Sequence, residues 1–178
     1  MRRKMITGRL LFLLAIFACW PSASSAGLFK VVQVYDGDTI KAVGHDIEIR
    51  VRLVGIDAPE TSKAKHKPGQ PFGRKAGKYL AGLVLNKTVD IKGYGSDRYG
   101  RILGEVFIEN KNVNLEMIET GYAEVYSGQP PRGFYLDAYQ TAEKTARHAN
   151  RGIWSQGDNY ISPRSWRRNQ KLAKNDDK

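Results

Sequence analysis

Apolar and polar positions alternate in short runs over the first third of the fold. Ile47, Ile49, Val51 and Leu53 interleave with Glu48, Arg50 and Arg52, the period of two that marks a strand with one face on a core. Leu28 to Val34 and Ile40 to Val43 are rich in β-branched residues and read as two further strands. Tyr35-Asp36-Gly37-Asp38-Thr39 joins them, and its Asp-Gly pair predicts a hairpin turn in which the glycine takes a positive φ. A second turn at Gly44-His45-Asp46 completes a meander. That path puts the tip of the first hairpin and the end of the third strand at the same end of the sheet.

The period then lengthens. Phe72, Ala76, Tyr79, Leu80, Leu83 and Val84 fall on one face of a helix over residues 72–85. Thr88 to Ile91 and Arg101 to Ile108 read as strands around the turn Gly93-Tyr-Gly-Ser-Asp-Arg-Tyr-Gly100. A short helix is expected over Val113–Thr120, with Asn114 as its N-cap and Gly121 as its stop. Tyr122 to Tyr126 is an extended run, and Phe134 to Ala149 a helix with Tyr135, Tyr139, Ala142 and Ala146 on one stripe. Trp154 is expected to dock on the core, with disorder beyond about Trp166. About five strands with a helix among them and two after them predict an α+β domain around a small closed barrel.

Composition adds a leader. Arg2, Arg3, Lys4 and Arg9 precede an apolar run from Leu10 to Trp20, and Pro21 to Ala26 is rich in small residues. This pattern predicts a secretory signal over residues 1–26, cleaved after Ala26, and hence a secreted or periplasmic protein with no stable membrane association. An uncleaved anchor and lipid attachment at Cys19 are the alternatives. Residues 27–155 then form one domain and 156–178 a basic tail, a length that suits a single core. The only cysteine, Cys19, lies in the leader, and the three histidines are scattered, which argues against disulfides, a thiol nucleophile or a His/Cys zinc site. The formal charge of +11 permits polyanion partners without singling one out. Ser62 to Pro71, with Lys63, Lys65 and Lys67, reads as a mobile surface loop whose lysines serve either solvation or phosphate contact.

Candidate chemistry gathers at one end of the predicted barrel: Asp36, Asp38, Arg52, Asp57, Glu60, Asp97, Tyr99 and Arg101. Crowded carboxylates repel one another, so they must protonate or hold a cation. An all-oxygen set on loops suits a hard ion, Ca²⁺ more than Mg²⁺. Two arginines beside it suit an anion with paired oxygens, such as a phosphate. Tyr99 offers a face to a sugar or base. Each segment taken alone is an ordinary turn.

Together, Asp36-Gly-Asp-Thr39, Arg52-Leu-Val-Gly-Ile-Asp-Ala-Pro-Glu-Thr61 and Asp97-Arg-Tyr-Gly-Arg101 resemble the signature segments of the staphylococcal nuclease family. Gly121-Tyr-Ala and Gly152-Ile-Trp154 extend the likeness, which runs from about Val31 to Trp154. The resemblance implies an OB-fold five-stranded barrel with three helices, and a monomeric, Ca²⁺-dependent enzyme that hydrolyses DNA and RNA and leaves 3′-phosphate ends. It assigns Asp38, Asp57 and the main-chain carbonyl of Ala58 to the metal, with Asp36 close by as an outer acid. It assigns Arg52 and Arg101 to the phosphate, Glu60 to the attacking water and Tyr99 to substrate stacking. Alanine at position 58 replaces a threonine, without consequence if the backbone carbonyl is the ligand. A second substrate tyrosine does not carry over directly: its place falls on Ser127, one residue after Tyr126. The other reading is a non-catalytic nucleic-acid-binding module on the same fold.

Overall fold

The computed structural model describes residues 27–62 and 68–176. The expected leader, Cys19 and the three loop lysines lie outside the described residues.

Strands β1 (Leu28–Val34), β2 (Thr39–Gly44) and β3 (Ile47–Leu53) form the antiparallel meander. The β2–β3 register places Ile40 opposite Val51 and Ala42 opposite Ile49. Ile40, Ala42 and Val51 are fully buried, so a slip of one residue would turn that apolar face to water. His45 and Asp46 form the connecting turn, both at positive φ (52° and 58°), the twist that tight hairpins favour.

A two-residue strand, β4 (Ile56–Asp57), follows β3, and helix α1 (Gly73–Val84) packs against β1. Strand β5 (Thr88–Ser96) pairs antiparallel with β1 and with β6 (Ile102–Ile108). β6 then pairs parallel with β3, from Val51↔Ile102 to Leu53↔Gly104. That last pairing closes the ring β3-β2-β1-β5-β6. The fold is α+β, an OB-fold barrel of five strands, and closure leaves these strands no open ladder.

Strand β7 (Lys111–Asn112) extends β6 and leads into α2 (Val113–Glu119); β8 (Glu124–Val125) pairs with β4. Helix α3 (Asp137–His148), a 3-10 segment (Gly152–Asn159) and helix α4 (Pro163–Asp176) complete the chain. Gly121 and Gly152 meet backbone to backbone: a Cβ on either would fall 2.3 or 2.1 Å from a carbonyl oxygen of the other segment. This contact seats Ile153 and Trp154 in a second apolar cluster with Ala146, Phe72 and Tyr160, from which α4 departs. Among the described residues no helix is long and apolar enough to cross a membrane.

Several expectations need correction. The cap of α2 is Asn112, whose Oδ1 accepts from Leu115 N at 3.0 Å. Asn114 lies inside the helix, fully buried, where its amide bonds Val106 N, Val54 O and Gly104 O; a buried amide in a network was mistaken for a cap. Helix α3 begins at Asp137, so Tyr135 is off its stripe and exposed. Gly37 is not at positive φ. A Cβ there would meet Ala58 Cβ at 2.6 Å and Ala76 Cβ at 2.8 Å, so it is needed for close approach rather than for the turn. Beyond Trp166, where disorder is the expectation, the described residues to Asp176 are helical.

Candidate active site

The barrel delivers the two segments bearing Asp38 and Asp57 to one end. Asp38 lies in the bend just before β2, and its carbonyl accepts from Leu53 N at 2.8 Å, which pins the hairpin tip to the end of β3. Its side chain reaches further: Oδ2 accepts from Ala58 N at 2.9 Å and Oδ1 from Thr39 Oγ1 at 3.0 Å. Asp36 Oδ1 accepts from Asp38 N at 3.1 Å and closes the turn. Asp57 lies on β4, opposite Glu124 of β8. Asp38 and Asp57 are both buried.

Arg52, on the polar face of β3, forks between them. Nη1 contacts Asp38 Oδ1, and Nη2 bonds Asp57 Oδ1 at 2.9 Å. A planar guanidinium with parallel donors suits this bridging role, and lysine would not. Burial acts against the charge on Asp38, but Arg52 and the hydrogen bonds from Ala58 and Thr39 outweigh it and hold the carboxyl below its usual range. Burial, then the charge of Asp38, pushes Asp36 up to about 7.

Arg101 arrives from the β5–β6 turn. Asp97 Oδ1 accepts from Tyr99 N (2.9 Å) and Arg101 N (3.0 Å), folding the turn around the carboxylate. Asp97 Oδ2 then takes Arg101 Nε (2.8 Å) and Nη2 (2.6 Å). The remaining nitrogen, Nη1, lies 3.5 Å from Thr39 Oγ1, beside Asp38. Asp97 is therefore the group that aims Arg101. Tyr99 is 68% exposed, with the Arg98 and Arg101 guanidinium carbons 4.8 and 5.5 Å from its ring centre.

Glu60 follows β4, and its backbone is clamped by Gln70. Gln70 N donates to Glu60 O at 2.9 Å, Gln70 Oε1 accepts from Glu60 N at 3.1 Å, and Gln70 Nε2 donates to Ile161 O at 2.6 Å. The loop bearing Glu60 is thereby tied to the entry of α4.

From α4 comes a residue that sequence reasoning left out of the site. Arg167 Nη1 bonds Asp57 Oδ1 at 3.0 Å and Glu60 Oε1 at 2.7 Å, and Nη2 bonds Asp57 Oδ2 at 2.7 Å. The available signal was the helical spacing of Arg164, Arg167, Arg168 and Lys171, which a reading of the tail as disordered discards. Gln70 was hidden among the breakers of a polar loop.

Asp36, Asp38, Arg52, Glu60, Asp97, Tyr99, Arg101 and Arg167 line one cleft of about 1210 Å³, shared with Arg50, Arg98 and Tyr126. Tyr126 is thus available beside Ser127, whose Oγ accepts from Arg164 Nη1 at 3.3 Å. The structure brings Asp38, Arg52, Asp57, Ala58, Glu60, Tyr99 and Arg101 together around the cleft; Asp57 borders it through Arg52 and Arg167.

Among the described residues, no group of three or more His, Cys, Asp or Glu is arranged as a metal cluster. The expected set is two carboxylates and a main-chain carbonyl. The chemistry of the donors fits a hard cation: Asp38 and Asp57 are buried oxygens whose present neighbours include two guanidinium cations, so the spot already stabilises positive charge.

Comparison with known proteins agrees with this geometry. Residues 50–156 match the family described as Staphylococcal nuclease homologue. A Haemophilus influenzae protein named as an uncharacterized endonuclease is 35% identical over 172 residues, covering 96% of this chain and 88% of its own length. An Escherichia coli protein of the same description is 36% identical over 155 residues, covering 83% and 90%. A Shigella flexneri micrococcal nuclease is 37% identical over 157 residues, covering 82% and 83%. The matched segment contains Arg52, Asp57, Glu60 and Arg101 and ends just before α4. By fold, motif order and sequence, the chain belongs to the staphylococcal nuclease homologue family.

Proposed function

We propose that the protein is an exported, calcium-dependent nuclease that hydrolyses phosphodiester bonds of DNA and RNA. Nuclease action on nucleic acid is supported by the family and by relatives named as endonucleases. The observation that carries the finer reading is the Arg52 fork joining Asp38 to Asp57, with Glu60 and Arg101 at the same cleft.

In this reading Asp38, Asp57 and the carbonyl of Ala58 would hold Ca²⁺. When bound, the ion supplies positive charge near the scissile phosphate and acidifies a water. Attack on phosphorus builds negative charge on the phosphoryl oxygens. Arg52 and Arg101, fixed by Asp38, Asp57 and Asp97, face that charge without reorganising, which makes such donors effective. Glu60 takes the proton of the attacking water or orients it. Tyr99, exposed at the rim, stacks on a base or sugar. Cleavage is expected to leave 3′-phosphate ends. A non-catalytic module would tolerate loss of these acids and arginines, yet all are present. Export is supported by the basic and apolar pattern of residues 1–26.

Plasmid DNA and RNA incubated with residues 27–178 should be cut with calcium and left intact in excess EGTA. Cleavage that persists in EGTA would remove the metal role, and none under either condition would favour the binding module.

A further inference from the structure

Helix α4 lies beyond the segment that matches the family, yet it lines the cleft. Arg164, Arg168 and Lys171 recur at i, i+4 and i+7, which places them on one helical face. All three are exposed, all line the cleft, and among the described residues none has a carboxylate partner. This sets them apart from Arg52, Arg101 and Arg167, each neutralised by acids of the site. Arg167, on the same helix, fastens α4 to Asp57 and Glu60, and Gln70 holds the residue before its first turn. These cations, of which Arg164 also reaches Ser127, are therefore presented from a seated element rather than from a loose tail.

We propose that this face of α4 is a binding surface for the phosphate backbone of the nucleic-acid strand entering the cleft. The inference rests on the nuclease reading and extends it to a helix outside residues 50–156. The seven-residue step from Arg164 to Lys171 spans about 10 Å, a length over which a strand presents more than one phosphate. An acidic protein surface would not need such a row to run into a catalytic cleft. A polyanion being cut there does.

The test is binding of a fluorescent single-stranded oligonucleotide to the full-length chain in EGTA, followed by anisotropy from low to moderate salt, with the probe checked for integrity. Each lost contact lowers the slope of log K against log salt by about 0.7 on a single strand. The triple variant Arg164→Gln/Arg168→Gln/Lys171→Gln should therefore lose about 2 from the slope, and at least tenfold in affinity at low salt. Its charge-matched control, Lys78→Gln/Lys87→Gln/Lys144→Gln, alters exposed lysines that do not line the cleft and should leave the slope unchanged. Single Arg168→Gln and Lys171→Gln variants, each expected to lose about 0.7, carry the same test if the triple variant fails to fold. Tight binding with an unchanged slope, or an equal loss in the control, would overturn the role of α4 and leave the nuclease reading intact. Failure of the unaltered chain to bind at any salt would overturn both.

Discussion

At the scale of single residues, the two arginines of the proposed phosphate site differ in what else they do. Arg52 neutralises two buried carboxylates, so Arg52→Ala would strand Asp38, leave Asp57 to Arg167, and lower stability by several kcal/mol as well as activity. Arg101 pairs with the partly exposed Asp97 and otherwise approaches the Thr39 hydroxyl, which makes it the cleaner probe. Arg101→Ala should reduce kcat on the order of 10²–10³ while the melting temperature changes little. A loss below about threefold in a nuclease assay would remove Arg101 from the reaction. Arg167 holds one oxygen of Glu60 and both oxygens of Asp57, and a cation at the proposed site would compete for those of Asp57. Arg167→Ala should accordingly lower the calcium concentration for half-maximal cleavage, measured by titration; an unchanged or higher midpoint would show that guanidinium and metal do not compete. Arg52, Asp57 and Glu60 were legible in the sequence because alternation and a proline turn fix their spacing. Arg167 was not, since its partners lie more than a hundred residues away, and no local pattern records an ion pair across that distance.

At the scale of elements, α2 is tied to the barrel by Asn114. Its amide satisfies Val106 N on β6 and two carbonyls, Val54 O and Gly104 O. Asn114→Ala would remove the partner of Val106 N and of Val54 O and one of the two donors to Gly104 O, at a cost of about 3 kcal/mol or more, readable as a lower midpoint in urea. Strand β8 carries a second buried acid. Burial pushes Glu124 up to about 7, although Tyr160, hydrogen-bonded to it, opposes the shift, and nearby Asp57 adds to it. A folded value above the unfolded one means that the native state binds the extra proton. The contribution is complete below about pH 4.5 and is lost as pH rises through 7. Glu124→Gln stays neutral, so in EGTA its stability relative to the unaltered protein should improve between pH 5 and 7, by roughly 2 kcal/mol. A difference that is flat with pH would contradict this. The strands were readable because their alternation is imposed by a two-faced sheet. Helix starts were less so: Asn112 and Asn114 have equal cap propensity, and only the tertiary partners of Asn114 decide between them.

At the scale of the whole molecule, the barrel closes through β3–β6 pairing and an apolar interior. Its core contains none of the proposed ligands apart from Ala58. Chelation should therefore abolish cleavage while leaving the circular dichroism spectrum unchanged. Added calcium should raise the melting temperature only as far as mass action on its affinity dictates. Unfolding in EGTA at room temperature would refute that separation. The α+β barrel was foreseeable from five short strands and their turns. The ordered C-terminal helix was not, because its basic, apolar-poor sequence resembles a solvated tail until the acids of the cleft give it somewhere to rest.

The bonds that Ala58 N and Leu53 N donate to Asp38 have a consequence for energetics. They stitch two distant loops into their working arrangement before any ion arrives. Ordering entropy is thus spent during folding, and a calcium ion bound as proposed would not have to order either loop. Calorimetry of ion uptake should then show almost no change in heat capacity, the thermodynamic mark of a lock cut before its key.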